Sequence, residues 1–153
     1  MSDVYDAIAL EAARESELWS AALLSSARRE PRGVFSALAD ARYALGLETI
    51  YEGYLVHFGR PRLFAPEDGD TALLLGDYLY AHGLVHIAES GDVKAVADLA
   101  ELISHCSHLR ADDLDGDGQA WVATSSSLGN GASPRADERA VTAALAAHAR
   151  FVG

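Results

Sequence analysis

An all-α fold, an antiparallel bundle of five or six helices, is what the sequence predicts. Long apolar stretches recur at helical spacing, strict alternation of the strand type is absent, and the breakers between stretches carry the chemistry of helix ends. The first stretch runs from about Ser2, with Asp3 and Asp6 in its opening turn, to Arg29, before Pro31 and Gly33. A second covers about Val34 to Phe58 and stops at Gly59 with Pro61 beyond. Arg60 to Asp70, with Pro61, Pro66 and Gly69, reads as a linker. A third helix spans about Thr71 to Ser90. Gly91-Asp92 then supplies a C-terminal glycine and the N-cap of a fourth, which reaches about Ala111 antiparallel to it. A flexible acidic and glycine-rich segment, about 112–133, contains a weak helix around Trp121, and an alanine-rich helix follows from Pro134.

One domain is expected over residues 1–153, because half the residues are hydrophobic and a chain of this length fills one core. A formal charge of -11, with Lys94 the sole lysine, opposes phosphate backbones and anionic headgroups. Nucleic acid and membrane insertion are therefore not expected, and the start Met1-Ser2-Asp3-Val4 predicts a cytoplasmic protein rather than an exported one. Cys106 falls on the stripe of Val96, Leu99, Leu102 and Leu109, as a buried structural thiol would.

The third helix is apolar on nearly every face and is expected to be central, with Gly76 and Gly83 allowing close approach of another helix. The second carries Val34, Leu38, Ala41, Leu45 and Leu55 on one stripe and Tyr43, Leu47, Tyr51, Tyr54 and Phe58 on another. So much apolar surface on two helices predicts an oligomer whose interface includes Gly76, Tyr80 and Gly83. Glu48 and Glu52 interrupt the first stripe one turn apart. Carboxylates there are either a divalent cation site or the point where the stripe turns out to solvent.

Two further patterns carry ligand chemistry. Asp113-Leu114-Asp115-Gly116-Asp117-Gly118 matches the first half of an EF-hand loop, with Asp113, Asp115 and Asp117 as calcium ligands. Thr124 stands where the closing glutamate belongs, which favours a solvated turn. His82, His86 and Glu89 share one face of the third helix and Glu101, His105 and His108 one face of the fourth. Facing each other they would hold zinc or a pair of irons, whereas the charges beside His105 and His108 favour a solvated face.

The run Leu73-Leu74-Leu75-Gly76-Asp77-Tyr78-Leu79-Tyr80-Ala81, with Gly91-Asp92 and the apolar helix after it, resembles the trans-type polyprenyl diphosphate synthases over about residues 37–109. The resemblance implies part of an isoprenoid-synthase-like fold. Gly59-Arg60-Pro61 looks like that family's Gly-Lys-Pro, which puts His57 and Phe58 where two arginines belong and Glu48, Thr49 and Glu52 in the register of the magnesium-binding aspartates. Tyr43 and Ala44 then fall at the tunnel floor. The second aspartate-rich motif is lacking, so the resemblance implies a non-catalytic or regulatory subunit with at most weak magnesium binding. Such a subunit would dimerise with itself or with a catalytic prenyltransferase and shape the chain-length tunnel, and the same helix pair would form the contact.

Overall fold

The computed structural model describes residues 3–129 and 137–152, and within them the chain is mainly helical, with a single isolated bridge and no strand. Seven helices follow in order: α1 Asp3–Glu15, α2 Glu17–Ala22, α3 Ala44–Phe58, α4 Gly69–Glu89, α5 Val93–Ala111, α6 Asp117–Ser127 and α7 Glu138–Val152. Residues 130–136, with Pro134 and the end of the acidic and glycine-rich segment, lie outside the described residues.

The third and fourth expected helices form nearly as spaced. Asp68 caps α4 by accepting from the Thr71 amide at 2.7 Å. Gly91 takes φ +82° at the turn, and Asp92 accepts from the Ala95 amide at 3.0 Å to open α5. The first and second are shorter than expected because polar side chains inside them act as caps. Ser16 adopts extended backbone and accepts from the Leu18 amide, which divides α1 from α2. Residues 34–43 form single 3-10 turns instead of a helix, with Asp40 accepting from the Arg42 amide at 3.0 Å and its own N–H bonded to the Leu128 carbonyl.

Between α2 and α3 the chain doubles back along the 59–68 segment. Leu23 and Phe64 form an antiparallel bridge, the Leu24 amide donates to the Leu63 carbonyl, and the Glu30 amide donates to that of Arg62. This lacing points the Arg62 side chain into α3.

The expectation that α4 is central is corrected. α3 holds that place, with Gly46 to Val56 all buried. On one side of it Phe35, Tyr43, Tyr51, Tyr54, Trp121 and Phe151 pack with Leu99, Leu102 and Cys106. On the other, Ile8, Ala12, Trp19, Leu63, Phe64, Leu75 and Leu79 join α1 and α2 to α4. α4 keeps an outer face on which Leu73, Leu74 and Val85 are each more than half exposed. Among the described residues no helix is long and apolar enough to cross a membrane.

Candidate functional site

Glu48 and Glu52, stacked on α3, converge on a single cation, and it is Arg62. The Arg62 Nη1 donates to Glu48 Oε1 at 2.6 Å and to the Arg32 carbonyl at 2.8 Å, while Nε donates to Glu52 Oε1 at 3.0 Å. Nη2 reaches the Glu48 carbonyl at 3.2 Å. The other oxygens are also engaged. Ser36 donates to Glu48 Oε2 at 2.5 Å, the Leu63 amide donates to Glu52 Oε2 at 2.8 Å, and the Tyr5 hydroxyl lies beside Glu48. Tyr51 and Tyr5 cover the guanidinium, 5.1 and 5.5 Å from their ring centroids.

All three charged side chains are buried. One guanidinium against two carboxylates leaves a formal charge of -1, which the hydroxyl and amide donors offset. Burial and the charge of Glu48 push the Tyr5 hydroxyl far above the usual phenol range, so it stays a donor. For Arg62, burial works against its charge, yet Glu48 and Glu52 outweigh it and hold the guanidinium protonated. Thr49, between them in the chain, turns its hydroxyl back to the Leu45 carbonyl at 2.7 Å. Glu48 and Glu52, in the register read as a magnesium motif, thus sit in an internal salt-bridge cluster with Arg62, and Thr49 turns away from it.

A second network lies at the opposite end of the aromatic core. Asp117 Oδ2 accepts from Tyr54 and from Arg110 Nη2, both at 2.7 Å, and lies 3.0 Å from His148 Nε2. His148 Nδ1 is in turn 2.7 Å from the Tyr51 hydroxyl. An Nε2–H tautomer serves both contacts, donating to Asp117 and accepting from Tyr51. Burial raises the Asp117 pKa, but bonds from His148, Tyr54 and Arg110 outweigh it and hold the carboxyl well below the usual range. In the segment read as half of a calcium loop, α6 begins at Asp117, so Gly118 and Thr124 are helical, and the sharp turn falls at Gly116, φ +115°. Asp117 faces Arg110. Asp113 and Asp115 are exposed on the turn before it.

The remaining expected residues separate. Tyr43 is buried and donates to Asp92 at 2.6 Å, tying the start of α3 to α5, and Ala44 is the first residue of α3. Gly76 and Gly83 do not face outward as an interface would. A Cβ on Gly83 would lie 2.5 Å from Ile50 Cγ1 and one on Gly76 would strike the His57 ring, both within this chain. Tyr80 packs beside His57 at 5.0 Å between ring centroids. Glu101 and His105 border an open cleft of about 530 Å³ between α5 and α6, away from His82 and His86. Those two histidines face Glu11 of α1 instead.

The chain matches no family model, no curated protein and no solved structure. Sequence reasoning missed Arg62 and Glu11. For Arg62 a signal existed, a lone arginine in Pro61-Arg62-Leu63-Phe64 with apolar neighbours on its far side and two uncompensated carboxylates upstream.

Proposed function

We propose that this chain is a catalytically silent helical subunit of polyprenyl-synthase type, acting by association with a second copy of the fold, its own or that of a catalytic prenyltransferase. The observation that carries the reading is the Glu48–Arg62–Glu52 cluster. An acidic pair in the register of the magnesium motif is bound from within by an arginine that is itself buried. Ionising an allylic diphosphate needs metal ions and donors facing the leaving group across an open cavity. Here the neighbouring space is taken by aromatic rings, with Phe35 stacked on Trp121 at 5.5 Å and Tyr51 edge-on to Trp121 at 5.1 Å. Influence on product length then acts through the protein surface, without a tunnel floor at Tyr43 and Ala44. The face offered to a partner is the outer side of α4, where Leu73, Leu74 and Val85 are exposed.

The test is to assay allylic chain elongation and sedimentation for the pure chain, then for its mixture with a catalytic prenyl synthase. No turnover alone, a dimer or mixed complex, and its loss in Leu74→Asp with the fold intact would support the reading. Condensation by the pure chain at on the order of 1 per second would overturn it, as would a monomer that leaves the synthase's product lengths unchanged.

A further inference from the structure

We propose that Glu11, His82 and His86 form a binding site for a divalent transition-metal ion of the zinc type, joining α1 to α4. His82 and His86 are one turn apart on α4, their ring centroids 4.7 Å from each other and their planes at 74°. α1 brings Glu11 against both from the other side of the N-terminal layer. Its Oε1 lies 2.6 Å from His82 Nε2 and 2.7 Å from His86 Nε2, and the three donor atoms fall within 4.8 Å of one another. A tetrahedral zinc ion with bonds of about 2.0–2.2 Å sets its ligand atoms about 3.3 Å apart, so small side-chain rotations convert the observed cluster into a coordination set.

The surroundings favour such an ion. His86 stands between two carboxylates, with Nδ1 3.2 Å from Glu89 Oε1 and Nε2 facing Glu11. A neutral imidazole carries one N–H and satisfies one of them. Donated to Glu89, that proton leaves the Nε2 lone pair aimed at the centre, the carboxylate–histidine–metal arrangement in which an outer carboxylate orients a ligand. His82 is held by stacking on Tyr78 at 5.2 Å and 15°, and Tyr78 stacks on Trp19 at 5.7 Å. Both rings are therefore positioned before an ion arrives. Two imidazoles select zinc, copper or nickel over magnesium and calcium, and the chain's charge of -11 attracts cations generally. With the three side chains each partly exposed, the remaining coordination position opens to solvent. Water or a small anion would complete it.

The site is independent of the function proposed above and needs no prenyl substrate to test. Untagged protein, stripped with a chelator and exchanged into metal-free buffer, would be titrated with zinc by calorimetry and with cobalt(II) by visible absorption. One equivalent should bind with a dissociation constant on the order of 1 μM or tighter, and cobalt(II) should give the intense bands of a tetrahedral site. His86→Ala and His82→Ala should abolish binding, and Glu11→Gln should weaken it at least about tenfold. Glu89→Gln should also weaken it, by about tenfold or more. Zinc should raise the melting temperature of the unsubstituted chain and not that of His86→Ala, which controls for variants that merely fold less well. Zinc binding weaker than about 100 μM would overturn the proposal, as would binding that survives His82→Ala and His86→Ala or moves with His105 and His108.

Discussion

Gly46 and Gly83 meet across α3 and α4 with their backbones in near contact. A Cβ on Gly83 would stand 3.0 Å from the Gly46 carbonyl oxygen, and one on Gly46 would stand 3.1 Å from that of Gly83. One heptad along, a Cβ on Gly53 would stand 3.0 Å from the Gly76 carbonyl oxygen. The two glycine pairs let the helices approach more closely than any side chain would permit.

Replacing Gly83 by alanine should therefore destabilise the fold by about 1–3 kcal/mol despite alanine's better helix propensity, because the obstructing atoms include backbone that cannot move aside. Gly83→Leu should cost more. Gly69→Ala is the matched control: nothing lies within 4 Å of a Cβ there, and its urea midpoint should stay level or rise. Equal midpoints for Gly83→Ala and Gly69→Ala would show that the seam is loose.

Arg62→Met should cost about 3–5 kcal/mol, since it leaves two buried carboxylates without their cation. Adding Glu48→Gln and Glu52→Gln should recover a measurable part, because the loss is mostly that of unpaired charge. Denaturant titrations of the single and triple variants check this. A triple variant less stable than Arg62→Met would place the cost in packing.

Acid should weaken the Asp117 network. In the folded chain this carboxyl binds its proton less tightly than in the unfolded chain, so the unfolded state takes up more protons and stability rises with pH. The contribution is complete above the ordinary value of 3.8 and is lost as pH falls from there toward the lower folded value. The stability gap between the unsubstituted chain and Asp117→Asn should narrow by on the order of 2 kcal/mol as pH is taken from neutrality to below that value.

Cys106 should be inert. Burial foremost, with the charge of Asp117, pushes its thiol up to about 12, and the residue has no exposed surface. A thiol-reactive dye at about pH 8 should label the native chain only as fast as it unfolds, and one equivalent should react at once in denaturant.

Local signals carried much of the fold. The Asp68 and Asp92 caps and Gly91 bound α4 and α5 almost where spacing placed them, because each signal acts within a few residues of its own position. Ser16 and Asp40 lie inside apolar patterns that continue past them, and their capping bonds decide against one long helix. The site residues were legible as types but not as partners. Glu52 and Arg62 are ten residues apart across a turn, and Glu11 meets His82 from 71 residues away, distances over which periodicity says nothing. The same blindness misassigned the central helix. The apolar faces of α4 were legible in the sequence, whereas the arginine that lets Glu48 and Glu52 be buried with α3 was not.

A helix without a solvent face has a kinetic consequence. From Gly46 to Val56 the backbone of α3 is shielded on every side, so its amides have no local route to exchange with solvent hydrogen. The outer helices can fray and close again without exposing it. Deuterium should thus enter α3 last, at a rate set by opening of the whole molecule, and its slowest amides become an internal gauge of the protein's global stability.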